Sequence, residues 1–271
     1  MTKYPLLIFK CKKLYTGIFK PRKRGLVMKK LRIIFTVVIC VIFYLLVLPT
    51  NSVEAATKVS YEMLNKKVTW KDGDIVRGIV SFQYPKLKGD SNEIAKINKV
   101  IENAMKTFMA NDENVEGIKN STLYYIDNKL FSEDTQQLFW KTTCKVTYNK
   151  NNIISMHMKE MWYAGGVYNQ YDYGYTFNLK TGKTLTAVDV IGGKPEEVSS
   201  KVVSSAKKYF IKNEIAPDAD SWKTISNTIS TFDAKELKFY LKPGKAYICF
   251  GSYELNLGTG WQIFSVTSKY K

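Results

Sequence analysis

The sequence predicts an α+β fold, an antiparallel β meander accompanied by about three helices. In residues 138–148 large apolar side chains alternate with polar ones, which is the pattern of a half-buried strand. The segments that follow are joined by links too short for crossover connections, so their strands are expected to pair antiparallel. Apolar residues at helical spacing occur in three stretches that lie between groups of strands, as in α+β proteins.

A leader segment precedes this fold. Met28 opens a short basic stretch, and the 16 residues 33–48 are uncharged and mostly apolar. Small side chains at Val53 and Ala55 then suit a cleavage site. Residues 28–55 are therefore predicted to be a secretory signal peptide.

Two alternatives concern this leader. The apolar run 33–48 is longer than a typical signal core but shorter than the roughly 20 residues that span a bilayer, so an uncleaved membrane anchor stays open. Residues 1–27 show no domain pattern and are either a mis-called start, with Met28 as the true start in place of Met1, or a short basic tail. Each alternative places residues 57–271 outside the cytoplasm, extracellular or at the cell surface, and the chain is held in the membrane, through 33–48, only if that segment is not cleaved.

Most of the positive charge lies in the leader. Residues 1–56 hold eight Lys and three Arg against one acid, Glu54, whereas the remainder has 30 basic and 23 acidic residues and a net charge of +7. Arg77 is the only arginine of that remainder, and arginine is the residue best suited to phosphate and base recognition. Nucleic acid is therefore not an expected partner, and attachment to a membrane surface through lysines would be weak.

The first exported elements are predicted to be short strands. Residues 59–63 and 67–70 are β-rich and would be joined by a turn at Asn65-Lys66. A third strand is expected from Ile75 to Tyr84, with Pro85 ending it.

A helix is predicted next, because apolar residues recur at helical spacing from Ile94 to Phe108. Asp90 and Glu93 have the spacing of a capping box, so the helix should begin near Ser91. It should end near Asn111, where a polar run follows.

The meander continues after the first alternating strand. A turn at residues 149–152 leads to a second strand at 153–163, and a third strand carries Tyr171 to Phe177. A hairpin turn at 179–183 is followed by the β-like residues 184–186.

Two further helices and the last strands complete the chain. A helix should start at Pro195, because proline suits the first helical position, and a shorter one is expected around Trp222 and Ile229. The final strands are predicted at residues 239–241, 246–253 and 261–266.

No residues of the exported part have the spacing of a catalytic or metal site. His157 is its only histidine and is predicted to be a solvated residue on the polar side of its strand. One histidine and two separated cysteines cannot assemble an ordinary zinc site, so no metal, cofactor or enzymatic activity is expected. The alternative is a glycan hydrolase, which needs only two carboxylates. The acids scattered through the β segments are Asp72, Asp74, Glu160, Asp172 and Glu254.

Aromatic residues around Gly165-Gly166 are the best candidates for binding a partner. Such rings can dock a sugar face or a protein, although the same residues could instead cover the sheet. The candidates are Trp162, Tyr163, Tyr168 and Tyr171. Separately, Cys144 and Cys249 could form a disulfide outside the cytoplasm, or remain buried thiols.

Specific segments resemble a family of bacterial exported domains of unknown function that occur in tandem. In the first domain a strand ends in Tyr84-Pro85 and a helix carries Ile97-Asn98-Lys99-Val100-Ile101. The stretch from Tyr175 to Thr186 resembles the start of the companion domain. The final strands of that companion are matched at Phe239-Tyr240-Leu241, Tyr253-Glu254 and Gly260.

The resemblance implies two intimately associated α+β halves, residues 57–174 and 175–271. The same pair of domains forms the ectodomain of a lysozyme-sensing anti-sigma factor and precedes the catalytic domain of peptidoglycan deacetylases. It therefore implies an envelope setting and a binding role. Together with the export signal and the missing catalytic pattern, it predicts a secreted or surface-exposed, non-enzymatic module that binds a lysozyme-like protein or a cell-wall glycan. A wall-active hydrolase, or the ectodomain of an anchored sensor, is the alternative.

Overall fold

The computed structural model describes residues 58–132, 135–216, 218–255 and 260–271. The predicted signal peptide or anchor, the choice of start site and the two leader cysteines lie outside these residues. Within the described ranges, no helix has the length and apolar character needed to cross a membrane.

The first sheet contains five strands. They are β1 (Tyr61–Asp72), β2 (Ile75–Leu87), β3 (Leu138–Lys150), β4 (Ile153–Tyr163) and β5 (Asn169–Asn178). Their order in the sheet follows the sequence. The meander from β3 to β5 is antiparallel, as predicted, and β1 also pairs antiparallel with β2. The contact between β2 and β3, in contrast, is parallel.

β1 and β2 are longer than the sequence predicts. The expected turn at Asn65-Lys66 is wrong, because β1 passes straight through it with Asn65 opposite Gln83 and Lys66 opposite Phe82. Pro85 likewise does not end β2. Since β3 pairs with β2 only over Gly78–Phe82, Pro85 lies beyond that ladder, where proline removes no hydrogen bond to β3.

Two helices follow β2. Helix α1 (Asn92–Ala110) begins and ends where predicted, but its N-cap is Ser91 and not Asp90: the Ser91 hydroxyl accepts from the Ile94 N–H at 3.2 Å. Helix α2 (Asp112–Asp127) was not predicted. Its buried face includes Asn114 and Thr122, so helical spacing of apolar residues does not reveal it.

The second sheet and the remaining helices form the C-terminal part. A one-turn helix α3 (Ala187–Ile191), which was not predicted, precedes α4 (Pro195–Lys212) and α5 (Ala219–Thr231). Helix α4 starts at Pro195 as expected, and α5 lies at the third predicted helix. The antiparallel strands are β6 (Phe239–Lys242), β7 (Lys245–Phe250) and β8 (Gln262–Thr267).

Two boundaries differ from the expectation. Residues 184–186 contribute only an isolated bridge, between Phe177 and Thr184, and not a strand. Strand β7 stops at Phe250, before the predicted Tyr253, because a turn follows in which the Glu254 carboxylate accepts from the Gly251 N–H at 2.6 Å.

The α+β class is confirmed, with eight strands in two sheets and five helices among the described residues. Strand β6 packs on one face of β4 and β5, and the buried Ser155 hydroxyl accepts from the Leu241 N–H at 2.9 Å. Gly174 allows this approach, since a Cβ there would lie 2.2 Å from the carbonyl oxygen of Phe239. The opposite face of the first sheet packs against α1.

Candidate functional site

The face of the first sheet that contacts α1 carries a row of aromatic side chains beyond the helix. Side chains alternate between the faces of a strand, so cross-strand partners share a face. Trp140 of β3 lies opposite Trp162 of β4, and Glu160 of β4 lies opposite Tyr171 of β5. Tyr173, two residues along β5, points to the same face.

Two adjoining cavities open along this row. One, of about 760 Å³, lies between the sheet, the end of α1 and the start of α2, and Trp140 and Tyr173 line it. The other, of about 430 Å³, is bounded by Trp162 and the turn after β7. Both are lined by Glu160 and Tyr171. Together they form an aromatic groove, lined by Trp140, Glu160, Trp162, Tyr171, Tyr173 and Glu254.

The rings of the groove are half-buried and contact one another in stacked or tilted pairs. The Trp140 and Trp162 rings are stacked with centroids 5.7 Å apart and an interplanar angle of 28°. The Tyr171 and Tyr173 centroids are 5.9 Å apart. The row is therefore held by ring contacts within the sheet while its outer surface faces the cavities.

Glu160 is a half-buried carboxylate in the middle of these rings. The Trp140 indole Nε1–H donates to its Oε1 at 2.6 Å. Burial raises the pKa of the Glu160 carboxyl, and the Trp140 hydrogen bond offsets only part of that rise. Burial, followed by the charge of Glu160, also raises the pKa of Tyr173, so that phenol stays neutral.

Glu254 lines the smaller cavity, and both of its carboxylate oxygens have partners. One oxygen accepts from the Gly251 N–H at 2.6 Å, and the other lies 3.2 Å from the Lys238 ammonium and 3.4 Å from the Tyr171 hydroxyl. Lys238 also lies over the Tyr171 ring, 4.4 Å from its centroid. Gly251 is required here, because a Cβ would come within 2.8 Å of that ring.

The four aromatic residues predicted to bind a partner do not form one surface. Trp162 and Tyr171 line the groove. Tyr163 and Tyr168 instead contact Phe139, with ring centroids at 6.2 and 6.4 Å, and Tyr168 also contacts Trp261.

Two aromatic residues of the groove, Trp140 and Tyr173, were not predicted as site residues, and neither was Gly251 at its edge. The alternation of Tyr171 and Tyr173 along their strand already places both on one face, so the sequence carries a signal for Tyr173. Trp140 and Gly251 join the groove through strand pairing and a turn, for which the sequence has no local signal.

His157 is not the solvated surface residue that the sequence predicts. Its side chain is 20% exposed, and its Nε2 lies 2.5 Å from Oδ1 of the buried Asp172. Gln170 donates to the other Asp172 oxygen at 2.6 Å, and the Tyr240 ring of β6 stacks on the imidazole at 4.2 Å. The prediction fails because β6 covers the polar side of β4, so this polar cluster is structural packing between the two sheets.

Cys144 and Cys249 are both free thiols, so the disulfide that the sequence allowed is not present. They lie on strands of different sheets, β3 and β7. Burial raises the pKa of Cys144 to about 12, and burial also raises the pKa of Cys249. Among the described residues, no group of three or more His, Cys, Asp or Glu side chains is placed to hold a metal ion.

Comparison with known proteins gives a family match and a shared fold. Residues 71–168, just over a third of the chain, match the family described as deacetylase PdaC. A DUF3298 family protein from Pseudomonas aeruginosa PAO1 is similar in structure, with a TM-score of 0.51 at 14% identity over 78% of this chain and 92% of that one. A DUF3298 family member from Bacteroides fragilis NCTC 9343 gives 0.50 at 11% identity, over 79% and 92%. No curated protein matches.

These findings confirm the resemblance to the exported tandem family. At such low identity the two structures show a common fold and nothing about activity. The PdaC match includes the groove residues Trp140, Glu160 and Trp162, whereas Tyr171, Tyr173 and Glu254 lie beyond it.

Proposed function

We propose that this chain, whose residues 71–168 match the deacetylase PdaC family and whose fold is that of DUF3298 proteins, is an exported non-enzymatic binding module of the cell envelope. Its ligand is a cell-wall glycan, which lies in the aromatic groove. The observation that carries the proposal is the groove itself: half-buried rings and two carboxylates along an open cleft.

The chemistry of the groove suits a sugar chain. The C–H faces of a pyranose ring stack on flat aromatic surfaces, and its hydroxyl groups need a few fixed polar partners. Trp140 and Trp162 are stacked on each other and offer their outer surfaces, and Glu160 is placed between Trp162 and Tyr173. The volumes of the two adjoining cavities, about 760 and 430 Å³, favour an extended oligomer over a single sugar.

One observation favours a second candidate, glycan hydrolysis by paired carboxylates. Glu160 and Glu254 both line the smaller cavity and lie on either side of Tyr171. Their surroundings differ, since Glu160 is held by an indole in an apolar setting and Glu254 by a lysine and a backbone N–H. Such a difference is what an acid and a base require. The salt bridge of Glu254 to Lys238 weighs against it, because that carboxylate is already engaged.

The test is retention of the purified full chain on insoluble peptidoglycan and on immobilised lysozyme. We expect retention on peptidoglycan. Trp162→Ala should weaken it by about tenfold or more, because aromatic residues at the centre of a site carry much of the binding energy. Tyr163→Ala is the matched control, since Tyr163 is the next residue but lies on the other face, and it should bind as wild type does.

Three outcomes separate the candidates. No retention of the wild-type chain on peptidoglycan would refute the proposal. Retention on lysozyme that is lost in Tyr163→Ala or Tyr168→Ala would move the function to the opposite face and a protein partner. Release of reducing sugar that stops in both Glu160→Gln and Glu254→Gln would favour the hydrolase.

A further inference from the structure

We infer that the glycan bound in the aromatic groove carries free amino groups, and that Glu160 binds one of its ammonium groups. The inference rests on the proposed function and names the class of sugar: a polymer of amino sugars that are not N-acetylated. It follows from the charges in the groove, from the unused oxygen of Glu160 and from the rings around it.

The groove is acidic although the exported part of the chain is basic. Among the described residues that line it, the ionisable side chains include Glu113, Glu160 and Glu254 against the single basic residue Lys238, whereas residues 57–271 carry a net charge of +7. Lys238 is already paired with Glu254 at 3.2 Å. The negative charge of Glu160 is therefore left without a cationic partner in this part of the structure, and a cationic ligand would complement it.

Glu160 also has an unused acceptor. Its Oε1 accepts from Trp140, and among the residues that the structure describes its Oε2 has no hydrogen-bond partner. Oε2 is not among the buried polar atoms that lack a partner, so it is accessible from the groove, while burial of the carboxyl as a whole raises its pKa. An ammonium group at Oε2 would make a charge-assisted hydrogen bond and pair the negative charge of Glu160.

The surrounding rings favour a cation over a neutral amide. Trp140 directs its N–H edge at Glu160, whereas Trp162 and Tyr173 line the cavities on either side, and aromatic ring faces attract an ammonium group by their quadrupoles. An acetamido group carries no charge and would gain neither this attraction nor the ion pair. A free amine is therefore the better partner for this position.

The pH dependence has a defined sign. Four aromatic residues line the cavities with Glu160: Trp140 from β3 and Tyr171, Tyr173 and Tyr175 from β5. The charged residues that line them are Glu113 from α2 and the pair Glu254 and Lys238. None of these neighbours except Lys238 is cationic, and Lys238 is engaged by Glu254. Affinity for the amine should therefore weaken as the pH falls through the raised pKa of Glu160, because the carboxyl becomes neutral.

The experiment compares two probes by calorimetry on the full chain at low salt: a β-1,4-linked glucosamine hexamer and its fully N-acetylated counterpart. We expect wild type to bind the glucosamine hexamer about tenfold more tightly, the size of one charge-assisted hydrogen bond. Glu160→Gln should abolish the preference. Glu116→Gln, an equal change of net charge on the surface of α2, is the matched control and should leave it unchanged.

Each result has one meaning. Equal binding of the two hexamers, or a preference for the N-acetylated one, overturns the inference but leaves the proposed function standing. Failure of both hexamers to bind overturns the inference, and retention on peptidoglycan then decides the proposed function separately. A preference for the glucosamine hexamer that survives in Glu160→Gln shows that another group binds the ammonium and overturns the role of Glu160. Hexalysine that binds as tightly as the glucosamine hexamer shows that the site recognises any polyamine and overturns the glycan as the ligand. If Glu160→Gln does not fold, the wild-type pH profile decides: an affinity for the amine that does not fall in acid refutes the role of Glu160.

Discussion

Replacing Gly174 with alanine should loosen the packing between the two sheets. A Cβ at this position would lie 2.2 Å from the Phe239 carbonyl oxygen and 2.7 Å from that of Met156, where ordinary contacts are 3.4 Å or more. Backbone atoms on both sides must therefore move by about 1 Å, a case of overpacking that costs about 1–3 kcal/mol. The entropy that alanine removes from the unfolded chain, about 0.4–1 kcal/mol, is too small to compensate. After that offset a net loss of about 1–2 kcal/mol remains, so in a domain of this size the Tm should fall by about 2–8 °C.

The assay is thermal unfolding followed by circular dichroism, with Gly117→Ala as the control. Gly117 lies within α2, and a Cβ added there would meet no atom within 4 Å, so alanine should raise the stability by about 0.5–1 kcal/mol. The two substitutions are chemically identical and are expected to have opposite signs. A Gly174→Ala protein that melts at or above the wild-type temperature would refute the close approach of β6 to β5.

Three further predictions concern single side chains. Ser155→Ala should lower the free energy of unfolding, measured in urea, by about 1–3 kcal/mol, because it leaves the buried Leu241 N–H unpaired. Thr176→Val should lower it by less, since Leu241 keeps its acceptor, and equal losses would contradict this. Glu160→Gln should raise the Tm at pH 7 relative to wild type, because the ionised carboxylate opposes folding there, and this gain should vanish below the ordinary glutamate pKa, where the folded and unfolded states are both protonated; a lower Tm at pH 7 would refute the penalty. Cys144 should not react with iodoacetamide at pH 8 until urea is added, because burial raises its pKa to about 12; peptide mapping that finds rapid native labelling would show that the thiol is accessible.

The sequence predicted the elements whose signals are local. Helix α1 has apolar residues at helical spacing and a serine cap, and β3 to β5 alternate clearly, so both were found. Helix α2 was missed because Asn114 and Thr122 occupy its buried face, where each is satisfied by a backbone carbonyl oxygen. The turn expected at Asn65-Lys66 was overridden by the long ladder between β1 and β2, which is a tertiary effect.

The candidate site could be predicted only in part, for the same reason. Alternation placed Tyr171 and Tyr173 on one face, but the register that sets Trp140 beside Trp162 and Glu160 beside Tyr171 is a property of paired strands. Glu254 meets Tyr171 across 83 residues of chain, a separation that no local pattern reports. His157 was assigned to solvent because a polar strand face normally meets water, whereas here a second sheet covers it.

The parallel contact between β2 and β3 has a consequence for the order in which the chain folds. Gly78 to Phe82 can pair with Leu138 to Thr142 only after more than fifty residues, including both α1 and α2, have looped back over the sheet. Antiparallel hairpins such as β3–β4 close within a few residues and form fast. The distant pairing of β2 with β3 forms more slowly, because closing a long loop costs conformational entropy. The groove floor next to β2 should therefore be the last part to assemble, and hydrogen exchange during refolding should show β4 and β5 protected before β2.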